Sequence, residues 1–311
     1  MSISEFAIPF RYKTDRSNPG RWIISHAIHH WFIFLIAVIG TIGNAALASL
    51  PAVQFGVVFS TLTSGSPDLQ VIHRSVLVIL ISQVGRGVLQ FGRNFGFEVL
   101  AQRIERDVRD EFYIALLGKS MTFHSLQSVG DLMARATNDI REVNFLFSPG
   151  INMVLGSINF LFIPLVIGAQ INPVLLIAPS IFIVAYFAYI VHYLKILQPI
   201  TSKVRSAFGI MNSRLAEAID GVETVKAAAQ EENEIQLFRQ NIKAYRDASV
   251  EQGDVEARFI PLLMLALTLG FGLLHALFLF EAGTIPLASV ISYFSALSLL
   301  GFPTNTSIHS Y

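Results

Sequence analysis

Six stretches of this 311-residue chain run for more than 20 residues with scarcely a charge: about His30–Phe59, Val71–Phe95, Phe145–Ala169, Pro173–Leu197, Phe259–Phe280 and Pro286–His309. Crossing about 30 Å of hydrocarbon takes roughly 20 apolar residues of helix. Lipid offers the backbone no hydrogen-bond partner, so a single spanning segment must satisfy its own amides and carbonyls, and the helix does so. The pattern therefore predicts an all-α membrane protein with six transmembrane helices. Composition agrees: only 14% of residues are charged, against about 25% in a soluble domain. A net charge of zero argues against nucleic acid as a partner. The chain has no cysteine, which removes disulfides and thiolate metal sites. The first residues lack a compact apolar core followed by a small-residue cleavage site, so no cleaved signal peptide is expected.

The connections between spans are very unequal. Gln170-Ile171-Asn172-Pro173 is a tight turn, with Asn172 placed to cap the next helix and Pro173 at its first position. Glu281–Ile285 is equally brief. By contrast, about 50 residues separate spans two and three, and about 60 separate spans four and five. Ala101–Leu117 and Ser213–Tyr245 carry apolar residues at helical spacing without proline. Both long connections thus read as helices that carry the spans well beyond the bilayer, about 40 Å between Phe95 and Phe123.

Basic residues set the expected orientation. Arg11, Lys13, Arg16 and Arg21 precede the first span, and both long connections are rich in Lys and Arg, whereas the other loops hold Arg74 alone. By the positive-inside rule the N-terminus, both long connections and, after six spans, the C-terminus are cytoplasmic in a multi-pass plasma (inner) membrane protein. Residues 1–29 form an N-terminal segment in which Pro19–His29 lies along the membrane as an elbow, and residues 30–311 form the transmembrane domain.

Two polar stretches carry a family resemblance. Phe123, Gly130, Arg135, Asp139 and Val143 stand in the order and spacing of the first intracellular loop of ABC exporters. Glu217, Gly221, Thr224, Val225, Lys226 and Glu231, followed by Phe238, are similar to the second, although Ala228 stands near a position where the family usually has an aromatic. The resemblance implies the six-helix exporter fold, with coupling helices at the tips of the two arms, near Thr122–Ser128 and Ser213–Gly221. It nominates Phe123, His124, Leu126, Leu215, Glu217 and Gly221 for contact with an ATPase domain, Phe123 as the buried anchor. It also implies a second transmembrane domain as partner, in a homo- or heterodimer whose spans four and five cross to the other subunit. ATP and magnesium are expected on a nucleotide-binding domain rather than here, since no phosphate-binding loop is found. Gly118-Lys119-Ser120 imitates the end of one, but Tyr113 stands where the loop requires glycine. Span six stops at Tyr311, short of the family's extension, so the chain is expected to be a fragment of a half-transporter.

Span two concentrates the polar chemistry. On a helical wheel Gln83, Arg86, Gln90, Arg93 and Asn94 fall within about 100° of arc. Gly85, Gly92 and Gly96 lie on the other side, where small residues favour close helix contact. The polar stripe is therefore expected to face a water-filled substrate cavity, and its arginines favour an anionic or zwitterionic cargo. His26, His29 and His30 are read as interfacial histidines without carboxylate partners, not a metal site. His275 and His309 are expected to face the bundle interior. No constellation suggests catalysis in this chain. The reading is an exporter domain moving an amphipathic lipid, peptide or drug by alternating access. A membrane scaffold without transport, or a membrane-embedded enzyme, are the alternatives.

Overall fold

The computed structural model describes residues 12–65 and 67–308, and contains no strand among them. His309 and Arg11, which figure in the expectations above, lie outside the described residues. The helices are α1 (Pro19–His29), α2 (Trp31–Thr63), α3 (Leu69–Leu117), α4 (Met121–Leu126), α5 (Val129–Ile171), α6 (Pro173–Asp220), α7 (Val222–Ala227), α8 (Glu231–Ala257), α9 (Pro261–Glu281), α10 (Leu287–Ser298) and α11 (Gly301–Ile308). Among the described residues, six helical segments are long and apolar enough to cross a membrane. The local signals behave as their chemistry dictates. Asn18 and Asn172 accept hydrogen bonds from Gly20 N–H and Val174 N–H, both at 2.9 Å, each capping a helix that begins with proline.

The chain divides into two compact units. Among the described residues the first comprises 12–65, 67–179 and 269–308. Its core is the pairing of α2 with α3, and small residues set how close the helices come. At Gly40 a Cβ would lie 3.0 Å from the Leu89 carbonyl oxygen, and at Gly96 one would lie 3.1 Å from Ala37 Cβ. Ala45, Ala48 and Ala52 turn another face of α2 toward Phe160, Ile163 and Ile167 of α5 and Ala296 of α10. Gly85 meets Leu47, but a Cβ added at Gly92 would have nothing within 4 Å, so of the three glycines expected at a close helix contact Gly92 is not at one. Tyr293 of α10 is fully buried and donates to the Leu175 carbonyl at 2.7 Å.

Past the apolar part of α3 a second core continues, built from Phe97, Leu100, Ala101, Ile104 and Val108 against Ile140 and Phe147 of α5. Helix α5 is irregular here. Ser148 is extended (φ −134°, ψ 107°) because Pro149 follows it and denies it the helical conformation.

The second unit, Ser180–Thr268, holds most of α6, then α7, α8 and the start of α9. Tyr189 Oη donates to Arg258 O at 3.0 Å, Phe208 meets Tyr245 at 5.4 Å and Arg214 pairs with Glu234 at 2.6 Å. Partners that ascend along α6 descend along α8, so the two helices form a long antiparallel hairpin closed by α7.

Candidate functional site

The first arm tip is built by two caps. Gly118 ends α3, its N–H bonding Ile114 O at 3.2 Å, and Ser120 Oγ accepts from Phe123 N–H at 3.3 Å to start α4. The residues that imitate a phosphate-binding loop thus turn the chain from one helix into the next. Phe123 is half-buried, with Lys119 Nζ 5.5 Å from its ring centroid and His124 edge-on at 5.5 Å. The strongly exposed apolar groups are its neighbours: Met121 at 74%, Leu126 at 74% and Val129 at 77%. Leu126 does not pack inward. Sequence reasoning nominates Phe123 and passes over Met121 and Val129, whose signal is an apolar residue beside a helix cap in a polar stretch.

At the second tip the short helix lies further along than expected. Ser213–Asp220 belongs to the body of α6, and the separate helix at the turn is Val222–Ala227. Gly221 is the break: a Cβ there would press on Glu217 O at 3.1 Å. Leu215 is half exposed on α6, and Glu217 accepts from Arg214 at 3.3 Å. The apolar residues nearest the turn are Ile219 (63% exposed) and Val222. Ala229 closes α7 with φ at +50°, a left-handed conformation that glycine adopts more readily. Ala229→Gly should therefore hold this turn more firmly by about 0.5–1 kcal/mol, seen as slower amide exchange at Gln230, whose N–H bonds Val225 O at 3.0 Å.

The polar stripe of α3 separates into a buried part and an exposed part. Arg93 is buried, at 8% exposure, and its Nη1 lies over Gly156 of α5, 2.9 Å from where a Cβ would sit. Its guanidinium donates to Asn94 Oδ1 at 3.2 and 3.3 Å, and that oxygen also accepts from Asn152 Nδ2 at 3.2 Å. Two turns along, Arg86 Nη1 donates to Gln83 Oε1 at 3.4 Å, and its guanidinium stands 6.0 Å from the Phe160 ring. Phe160 is itself packed on Phe302 at 4.7 Å. Asn44 of α2, fully buried, donates to Arg86 O and Gln90 Oε1 at 3.3 and 3.4 Å. Gln90 and Asn94 are exposed. Asn44 and Asn152 are the members that sequence reasoning misses. Each is an amide in an otherwise apolar run, which is the signal that would find it.

The N-terminal histidines require a correction. His26 and His30 do have carboxylate partners, supplied by the continuation of α3. His26 Nε2 lies 2.8 Å from Glu111 Oε2, and His30 Nε2 lies 2.7 Å from Asp107 Oδ2. Glu111, 4% exposed, also accepts from Thr14 Oγ1 (2.9 Å), Trp22 Nε1 (3.1 Å) and the Arg16 guanidinium. The elbow is thus clasped to the arm. Glu111 stands about 24 Å along the helix from Phe95, outside the apolar span. Burial opposes ionisation of Glu111, but the donors from Arg16, Thr14, His26 and Trp22 outweigh it and hold the carboxyl below its ordinary 4.5. Among the described residues no group of three or more His, Asp or Glu could hold a metal ion. His275 is half-buried.

A six-span α-helical membrane domain with two polar helical arms, each ending in a short helix with exposed apolar residues beside it, is the class these features define. The chain belongs to the ABC transporter transmembrane region family, whose model matches residues 32–303. It is 26% identical over 298 residues, 92% of this chain and 49% of the relative, to the multidrug resistance-like ATP-binding protein MdlA of Buchnera aphidicola. It is 26% identical over 206 residues to the probable multidrug resistance ABC transporter ATP-binding/permease protein YheI of Bacillus subtilis, covering 65% of this chain and 35% of that one. A lactococcin transport/processing ATP-binding protein LcnC-like of Lactococcus lactis is 25% identical over 54% of the chain and 23% of its own length. The chain spans about half, or less, of the length of these relatives.

Proposed function

We propose that this domain moves an amphipathic substrate across the plasma (inner) membrane by alternating access, driven by an ATP-binding domain that docks on its arm tips. ATP and magnesium belong to that domain. In this reading the arms and both termini are cytoplasmic, and a second transmembrane domain, identical or different, completes the pathway. The observation that carries the reading is the exposed apolar group of Met121, Leu126 and Val129 at the end of a polar arm. Water is a poor solvent for it, and a groove on a partner removes that cost.

Two measurements test this. The chain lacks cysteine, so single cysteines at Ser125 and Thr63 report sidedness cleanly. An impermeant maleimide should label Ser125→Cys only from the cytoplasmic face and Thr63→Cys only from outside. Second, Leu126→Asp should reduce ATP-dependent substrate uptake into inverted vesicles at least tenfold, the scale of a lost interface anchor, while helix content by circular dichroism is unchanged. Uptake indifferent to Leu126→Asp and to Met121→Asp would remove the docking role. Labelling of Ser125→Cys from outside would overturn the whole orientation.

A further inference from the structure

From the arrangement of Arg86 and Arg93 we infer that the transmembrane part of this chain holds an oxyanion-binding site, selective for the phosphate, sulfonate or carboxylate headgroup of an amphiphile. The inference rests on the exporter reading above and assigns its substrate class.

Three observations converge on it. First, the two guanidinium groups are seven residues apart on one helix and lean on one stretch of α5, Arg93 over Gly156 and Arg86 facing Phe160. They therefore lie along a single α3–α5 seam, with Asn44 and Asn152 at its margins. Guanidinium stays charged at any physiological pH, and a charge at bilayer depth is costly unless it meets a polar partner or a water-filled cavity. Second, among the described residues neither guanidinium is paired with a carboxylate. The bonds these guanidinium groups make go to amide oxygens, those of Gln83 and Asn94. None of the six apolar stretches contains an Asp or Glu, so a second copy of this chain brings no intramembrane carboxylate either. Third, donors are left over. Arg86 Nε and Gln83 Nε2 are shielded from solvent and have no acceptor, although the two side chains are joined through Arg86 Nη1 and Gln83 Oε1. A cluster with two positive charges and spare buried N–H groups is complementary to an anion with several acceptor oxygens. The aromatic pair Phe160–Phe302 beside it supplies an apolar wall for a chain or ring attached to that anion.

The experiment uses the chain purified in neutral maltoside micelles, with dodecyl phosphate and inorganic phosphate as probes against dodecanol as the uncharged control, followed by native mass spectrometry and calorimetry. Dodecyl phosphate should bind saturably and at least tenfold more tightly than dodecanol. Arg86→Gln and Arg93→Gln should each weaken it about tenfold, the usual scale of one charge-assisted contact. Arg86→Lys, which keeps the charge but loses the planar fork, should fall between. Inorganic phosphate that competes only weakly identifies an amphiphile headgroup as the ligand. Equal competition by inorganic phosphate would overturn the amphiphile assignment. Equal affinity for dodecanol, or binding unchanged in both glutamine variants with native helix content, would overturn the site itself. Loss of the site while Leu126→Asp still abolishes ATP-driven uptake would leave the exporter reading standing. Anion binding without any ATP coupling would do the reverse.

Discussion

Replacing Glu111 by alanine is expected to release the elbow from the arm and to lower stability by about 3 kcal/mol. The carboxylate is buried and serves four side chains at once: Thr14, Arg16, Trp22 and His26. Their fates on its removal differ. Arg16 is 64% exposed and recovers water, so its loss is screened. The His26 side chain is 0% exposed and cannot. The cost therefore comes mainly from polar groups stranded inside, at about 1–3 kcal/mol for each. Thermal unfolding in detergent micelles should show a clear drop in midpoint, and trypsin should cut at Arg21 sooner. Glu111→Gln keeps one acceptor oxygen and should lie between. A Glu111→Ala protein that melts and resists trypsin like the parent would show that the clasp contributes nothing. The same residue sets an acid limit. Its folded pKa lies below the ordinary 4.5, so its stabilisation is complete above that pH and fades as pH falls through the lower, folded value. The alanine variant should accordingly lose less stability than the parent on acidification below about pH 4.

The second large effect is expected at Gly56. Its Cα faces α10 so closely that an added Cβ would lie 2.1 Å from Ser292 Oγ and 2.4 Å from the Ala288 carbonyl oxygen. A hydroxyl can rotate aside, but a backbone carbonyl cannot move without its helix. Gly56→Ala should therefore force α2 and α10 apart at a cost of about 3 kcal/mol, the upper part of the usual range for overpacking. Gly92→Ala is the matched control, because nothing stands within 4 Å of the new methyl group. Its effect should stay within about 0.5 kcal/mol. Midpoints of thermal unfolding for the two variants, measured in the same micelles, decide the matter. Similar midpoints for Gly56→Ala and Gly92→Ala would contradict the packing described.

Much of this architecture is legible in the order of residues. Helix α1 begins at Pro19, because asparagine before proline is a local start signal that needs no tertiary partner. The turn at Asn172-Pro173 follows for the same reason. The first tip helix, Met121–Leu126, falls beside the expected Thr122–Ser128, since a serine cap marks its beginning. The second is displaced because glycine at 221 reads as the end of the tip helix, whereas it is the joint before it. Within the candidate site, the helical period puts Arg86 and Arg93 on one face of span two. Which of them is buried, and over what, depends on Gly156 and Phe160 of another span.

What the chain's own order of residues decided, then, is everything governed by solvent and by neighbours a few positions away. Long apolar runs must become helices in lipid, and caps and prolines mark where several of those helices start. Only the tertiary structure decided the pairings. His26 meets Glu111 across 85 positions and His30 meets Asp107 across 77, and Gly56 is indispensable only because α10 passes over it. Such contacts follow from which helices lie side by side and in what register, and no periodicity within a single segment records its neighbour's register.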